Sequence, residues 1–543
     1  MKKIIRLFHT VKYLKLIQIW RRLIKKILPS HFISTIKFIE VEKVINRFEP
    51  TVLSKQSIFG LWTFSFLNKK YNIKNFEYHN TNKIEKLWMY NLHYFDDLNS
   101  INSDQRRDWH NILIQKWIEQ NPPVFGIGWE PYPTSLRIVN WIKWSLLGAD
   151  MKKDWLNSLA TQAKYLSKNL EYHLLGNHLF TNAKALIYAG LYFKGALAKN
   201  WYQIGIEIFN KELNEQLLPD GGHFELSPMY HSLFLEDLLD IINIHQAFNI
   251  KLPAQIINKI LLMIKWLNTM CHPDGEISFF NDSAKSIAPT LKEITAYSYR
   301  LNINYKPSKF NNLTHLPDSG YIRLINKDAV VLIDVAKIGP DYLPGHAHAD
   351  TLSFELSLYG KRLLVNSGIS RYGTSLIRQF ERSTVAHNTV AIDNKNSSEV
   401  WSGFRVARRA YPLDLKIEEL ENFVNISCAH DGYKRLDGNP IHRRHWQFLK
   451  NSLIIRDHVD GFFTNAYAYF HFHPSVTITK NKNSFWKIEM PNRQQVVLDV
   501  KMGEATIKES YYSPEFGKKL SSQCLKISLD KREGGCVEIL WEN

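Results

Sequence analysis

Between about residue 84 and residue 300 the apolar residues of this chain return at intervals of three and four, the spacing of one face of an α-helix. The pattern predicts helices over 103–120, 134–148, 153–172, 177–196, 199–217, 230–247, 254–271 and 285–298. The breaks between them carry Pro and Gly, as in Pro122-Pro123, Pro219-Asp220-Gly221-Gly222 and Pro273-Asp274-Gly275. Helical pairs in series over such a length suggest a toroid or solenoid of antiparallel helices. After about residue 312 the period falls to two. Short β-branched and aromatic runs predict strands over 320–326, 329–336, 351–358, 362–366, 388–393, 421–428, 445–457, 466–472 and 486–499, the texture of an antiparallel β-sandwich. The Pro-, Asn- and Ser-rich stretch at 305–315 reads as a linker. The expectation is an α+β, multidomain chain, since 543 residues exceed one ordinary core. Its regions are a basic helical segment over 1–50, a helical domain over 51–310 and a β-sandwich over 311–543.

The most informative stretch is GHAHADTLSFELSLYGKRLLVN, residues 345–366. Leu352, Phe354, Leu356 and Leu358 share one parity; Thr351, Ser353, Glu355 and Ser357 share the other. If the extended conformation reaches back through His346 and His348, both imidazoles project from one face, where they can be metal ligands, proton-transfer groups or one of each.

Three further segments carry chemistry. Gly176-Asn177-His178-Leu179 opens a helix with an amide and a group titrating near neutrality; the plainer alternative makes Asn177 its N-cap. In DGGHFELSPMYH, residues 220–231, Ser227 is a good N-cap and Pro228 a good first helical residue. Tyr230 then falls in the first turn, where the helix dipole would favour a phenolate and attract an anionic substrate. Arg382-Ser383-Thr384-Val385-Ala386-His387 adds a third histidine and a candidate carboxylate clamp, Arg382; Tyr372 lies in the preceding loop. His442-Arg443-Arg444-His445 reads as a solvated strand edge.

Charge narrows the partners. The net formal charge is +17, from 69 Lys+Arg against 52 Asp+Glu, which favours an anionic ligand. No nucleic-acid module is found, so nucleic acid is not expected. Aromatic content of 13% fits a glycan cleft, where flat rings act as stacking platforms, without requiring one. Residues 1–28 hold nine basic residues, and the first acid is Glu40; Ile4, Leu7, Phe8, Val11, Leu14 and Ile17 recur at helical spacing. This basic amphipathic segment can lie on an anionic membrane or dock on the body of the protein. No signal peptide or membrane-spanning run is read, so a cytoplasmic or inner-membrane-peripheral location is expected, with export left open. Cys271, Cys428, Cys524 and Cys536 are expected as free thiols, a Cys524–Cys536 bridge being conceivable on export.

GNHLF at 176–180, DGGHFELSPMYH at 220–231, GHAHAD at 345–350 and RSTVAHNTV at 382–390, in that order, resemble the heparinase II/III-like polysaccharide lyases. WEPYPTSLRIVNW at 129–141 and LWMYNLHYFDDL at 87–98 resemble variants associated with bacterial surface-polysaccharide gene clusters. The resemblance implies an incomplete (α/α) toroid followed by a β-sandwich, with an acidic polysaccharide in the cleft between them and β-elimination at a uronate. It implies Tyr230 as acid, serving also as base in syn elimination, and Asn177 with His178 or His346 neutralising the substrate carboxylate. His178 or Tyr372 is the alternative base. Glu225, Arg382, Trp129 and Arg137 are expected to contact substrate. The family's zinc site would map onto His348, Asn366 and His387; Asn366 stands where an Asp is expected and is a poor zinc ligand. Two other readings remain: a hydrolase using Glu130, Glu225 or Asp282 as a carboxylate pair, and a non-catalytic glycan-binding or assembly protein.

Overall fold

The helical period becomes helices Arg107–Gln120, Pro131–Leu146, Lys153–Lys168, Gly176–Tyr192, Ala196–Gln216, Pro228–Ala247, Gln255–Thr269 and Leu291–Arg300. They are seen in a computed structural model that describes residues 2–27, 33–74, 84–307, 309–481 and 484–542. The ends of the predicted 1–28 segment, Met1 and Leu28, and Ser308 of the predicted linker lie outside the described residues. The helix Lys86–Tyr94 and a three-stranded sheet over residues 58–72 precede this series and were not predicted. Trp88, Trp117, Trp141, Trp155 and Trp201 are buried in the common helical core. The helix predicted at 285 begins at Leu291, behind a Thr290–Glu293 capping box that satisfies its first amides.

The period-two region forms antiparallel sheets throughout. An eight-stranded sheet packs on a second layer made of a five-stranded and a four-stranded sheet. Those two are stitched together by the Val365 amide donating to His471 (3.0 Å) and the His473 amide donating to Leu363 (2.9 Å). Two predicted strands are really hairpins. The run 445–457 is Ile441–Leu449 and Ser452–Asp460 turning at Lys450-Asn451, and 486–499 is Phe485–Glu489 followed by Gln495–Met502. The strands Glu504–Tyr512, Leu520–Ser528 and Gly535–Trp541 complete the layers and were not predicted. Nor is 442–445 a solvated edge: its strand is central, and His442 and Arg444 are buried on Asp457. All four cysteines are free.

The five-stranded sheet has two buried faces. Ile322, Leu324, Val331, Ile333, Phe354, Leu356 and Leu358 point into the β core. On the opposite parity, Tyr321, Val330 and Leu332 pack against Leu226, Trp266, Met270 and Phe280 of the helical part. Each such burial stabilises by ~1.5–3 kcal/mol. Polar residues fasten the same face: His272 Nε2 meets Glu355 (2.7 Å), and Arg323 donates to the carbonyls of Thr269 and Cys271 (2.8 and 2.6 Å). One sheet therefore serves as a wall of both parts. No helix among the described residues is long and apolar enough to cross a membrane.

Candidate active site

Residues 345–353 are not strand; extended pairing begins at Phe354, and Leu352 has φ +64°. The two histidines still converge, through one carboxylate instead of one strand face. His346 Nδ1 lies 2.9 Å from Asp282 Oδ2, and His348 Nε2 lies 2.8 Å from Asp282 Oδ1. Arg378 completes the set with a bidentate pair to the same carboxylate, Nη2 at 2.7 Å from Oδ2. Burial works against the Asp282 charge, but Arg378 and the two imidazoles outweigh it and hold its pKa well below the ordinary value. An ionised Asp282 orients the His346 ring: Nδ1 donates to the carboxylate and Nε2 points away from it.

Tyr230 joins this group from the helical side. Ser227 is the N-cap as predicted, its Oγ accepting from the Tyr230 amide at 3.2 Å. The Tyr230 ring stacks on His346 with centroids 3.9 Å apart, and its hydroxyl is 2.7 Å from that of Tyr372. The predicted phenolate does not hold. Burial, then Tyr372 and Asp282, raises the Tyr230 pKa well above 10, and burial with Asp282 does the same for Tyr372. The helix dipole reaches only the first turn's backbone end, whereas the hydroxyl sits among other acids and apolar rings. Both phenols are kept protonated.

The Gly176 motif forms the adjoining wall. Its helix starts at Gly176 with Leu175 in the capping position, so Asn177 is not the N-cap. Gly176 has φ +56°, and a Cβ there would lie 2.2 Å from Leu343 Cδ2 and 3.2 Å from Glu225 Oε1, which only glycine permits. Asn177 is half-buried, and its side-chain amide has no hydrogen-bond partner among the described residues. His178 Nδ1 lies 3.1 Å from Glu171, and the His178 ring packs 4.5 Å from that of Tyr132. Burial opposes the imidazolium, but Glu171 outweighs it and raises the pKa of His178.

Glu225 is buried with no hydrogen-bond partner for either oxygen among the described residues, 3.8 Å from His346 Nε2. Burial raises its pKa above 4.5, against the pull of His346 and His178. A carboxyl whose folded pKa lies above its unfolded one destabilises the fold increasingly as pH rises through that interval. Glu225→Gln is therefore expected to melt above the parent protein at neutral pH, the difference vanishing below the ordinary value of 4.5. Thermal unfolding of both proteins across pH checks this.

Three predicted substrate contacts are buried framework. Arg382 is fully buried and donates to the carbonyls of Ala347 (2.9 and 3.1 Å), Ser402 and Arg405, so it shapes the loop between His346 and His348. Arg137 lies on the Trp117 ring and donates to the carbonyls of His93 and Gly128. Trp129 is buried, its indole donating to Asn121. The residue on the carboxylate is Arg378, one turn before Arg382, which the sequence reading passed over together with Glu171. A helical i, i+4 pairing of Arg378 and Arg382 is visible in retrospect, but which arginine meets an acid depends on the fold.

The predicted ligand set changes likewise. Asn366 Oδ1 accepts from the Asn388 amide (3.1 Å) and is committed to the scaffold. Asp350 takes its place: ligand atoms of His348, Asp350 and His387 lie within 4.8 Å of one another. His387 Nδ1 donates to the Ser383 carbonyl (2.8 Å) and His348 Nε2 to Asp282, so His348 Nδ1 and His387 Nε2 present two lone pairs 3.0 Å apart. Burial lowers both pKa values to about 4, which disfavours a bridging proton. Two facing neutral imidazoles beside a carboxylate fit a divalent cation.

The family model described as heparinase II/III N-terminus covers residues 34–305, and that described as heparinase II/III-like, C-terminal, covers 310–542. A heparin-sulfate lyase of Bacteroides stercoris is 28% identical over 308 residues, 52% of this chain and 43% of that protein. One from Pedobacter heparinus is 26% identical over 348 residues, 59% of this chain and 50% of that protein. The chain thus spans about half the length of these curated relatives. The crystal structure of heparinase III superimposes with a TM-score of 0.70 at 19% identity, over 86% of this chain and 79% of that one. A heparan sulfate lyase from Pedobacter heparinus gives 0.58 at 20%, over 89% and 81%. At such identities the likeness speaks for the fold alone; with the family models covering both parts, the chain belongs to the heparinase II/III-like family.

Proposed function

We propose that this protein is a polysaccharide lyase that cleaves a uronate-containing acidic glycan by β-elimination. The helical layer is read as an incomplete (α/α) toroid, the sheets as its β-sandwich partner, and the glycan as lying between them. The observation that carries the reading is Tyr230, a phenol kept protonated, stacked on an imidazole that an ionised Asp282 orients. Removing the proton at C5 of a uronate builds charge on its carboxylate, and departure of the O4 substituent needs a proton. His346 Nε2, the ring nitrogen not engaged by Asp282, takes the proton in the first step. Tyr230 holds the proton for the second and gives it up without needing to act as base. Asn177, with an uncommitted amide, and His178, biased to imidazolium by Glu171, are the donors for the carboxylate. Tyr372 donates to or accepts from Tyr230 and keeps its hydroxyl oriented. Glu225 borders the same space. His348, Asp350 and His387 would hold a zinc ion whose contribution is to brace the loop that carries His346.

The hydrolase alternative is not supported. Asp282 is saturated by Arg378, His346 and His348, and Glu130 is held by Lys86 and Tyr90. Neither is available as an acid or nucleophile, and Glu225, the third candidate, is left without the second carboxylate such a pair needs. The test is incubation with a panel of acidic polysaccharides, beginning with the source organism's own surface glycan. The 4,5-unsaturated uronate ends expected from elimination absorb in the ultraviolet; saturated products would select hydrolysis, and binding without turnover a non-catalytic role. Asn177→Ala is expected to lower kcat by about 10²–10³-fold with a small change in KM. An unchanged kcat would remove Asn177 from the charge-stabilising role.

A further inference from the structure

The helices Lys2–Val11 and Leu16–Ile27 sit on the protein the wrong way round for packing. In the second, Leu16, Trp20, Leu23 and Ile27 form one stripe at 3.6 residues per turn and all face solvent, Leu16 and Ile27 being 84% and 74% exposed. Gln18, on the opposite side, is the buried residue, donating to the carbonyls of Leu174 (3.3 Å) and Tyr342 (3.4 Å). The polar flank is tied down further by Lys15 on Glu215, Arg21 over the Tyr172 ring (5.0 Å) and Lys25 beside His173 (3.5 Å). The first helix repeats the arrangement. Ile4, Leu7, Phe8 and Val11 point outward, while Thr10, on the flank of the stripe, accepts from the Trp401 indole (3.1 Å). Tyr13, between the helices, lies under the Arg409 guanidinium (3.6 Å).

We propose that this helix pair is a docking face for an anionic lipid bilayer. Its charge chooses the occupant: residues 2–27 carry nine Lys and Arg and no acid, and only Lys15 among the described ones is paired with a carboxylate, so the exposed apolar stripes are bordered by an excess of cations. An anionic headgroup layer over an acyl interior complements both features, with Trp20 and Phe8 at the depth aromatic rings favour. At ten and twelve residues the helices are too short to span a membrane and would lie in its surface. The pair is anchored on the helical side at Glu215 and Leu174 and on the β side at Trp401 and Arg409. Leu174 is two residues from Gly176, and Tyr342 is four from His346. Docking would therefore hold the active-site cleft at a set orientation beside the bilayer. This inference stands whether or not the lyase reading does.

The test is co-sedimentation of the full chain with vesicles of phosphatidylglycerol and phosphatidylcholine, and with phosphatidylcholine alone, at low and high salt. The protein is expected to pellet with the anionic vesicles, with at least a ~10-fold weaker partition onto phosphatidylcholine or at high salt. The variant Leu16→Ser/Trp20→Ser/Leu23→Ser/Ile27→Ser is expected to lose binding with an unchanged circular dichroism spectrum, since these side chains are exposed. No pelleting with anionic vesicles, or equal pelleting of the variant, overturns the proposal. So does a dimer in light scattering that the variant abolishes and vesicles do not dissociate, which would assign the stripes to a second copy of the chain.

Discussion

Tyr230→Phe is expected to leave a folded protein whose lyase turnover has fallen by about 10³-fold, within the range for loss of one proton-transfer group. Among the described residues the phenol bonds to Tyr372, so its removal costs about 1 kcal/mol of stability, and the ring's stacking on His346 is retained. The loss should lie in kcat, with KM changed a few-fold at most, because the hydroxyl is required when O4 departs and not when the glycan binds. Tyr372→Phe should cost less, since it orients the proton donor without being one. Release of unsaturated uronate, followed by ultraviolet absorbance, measures both. Turnover by Tyr230→Phe at the parent rate would end the proposed mechanism.

The largest effect on stability is expected at Asp282. Its carboxylate is the shared partner of Arg378, His346 and His348, all with little or no solvent contact. Asp282→Ala would leave the Arg378 guanidinium buried without a counter-charge, at a cost of about 3–5 kcal/mol. The double variant Asp282→Ala/Arg378→Met should recover part of that loss, because the penalty lies in the orphaned charge more than in the absent attraction. Denaturant unfolding of the three proteins compares them. A double variant no more stable than the single one would show that the ion pair is not what Asp282 contributes. Neither variant should turn substrate over, since His346 loses the partner that orients its ring.

How much of this could be read from the chain follows from the range of each interaction. The helices between 107 and 269 and the parity of Phe354, Leu356 and Leu358 were legible because periodic burial is written locally. Ser227-Pro228 announced its helix start for the same reason. The errors in the β part came from polar pairs inside apolar runs: Lys450-Asn451 is a turn, yet its neighbours alternate on both sides without a break. The motifs named Asn177, His178, Tyr230, His346 and Tyr372 as candidates, and the fold brings the rings of Tyr230, His346 and Tyr372 together. Arg378 and Glu171 were passed over because each is defined by a partner distant in sequence or in another motif, and Asp350, within the GHAHAD motif, was not read as a ligand. Asp282 was noticed as a carboxylate, but its three partners lie 64 to 96 residues away. Arg382, Arg137 and Trp129 were misplaced for the converse reason: residue type suggested a ligand, and burial assigned them to carbonyls of the scaffold. The phenolate expected at Tyr230 failed because a helix terminus was weighed without the desolvation that surrounds the hydroxyl.

The sheet whose two faces are both covered has a mechanical consequence. Rotating the helical half away from the β half would pull Trp266 and Phe280 off Leu332 and Tyr321 and strand Glu355 and Arg323 without their partners. Such a hinge is therefore opposed by both the apolar packing and the buried polar pairs. A glycan entering the proposed cleft would then have to do so without the two halves coming apart.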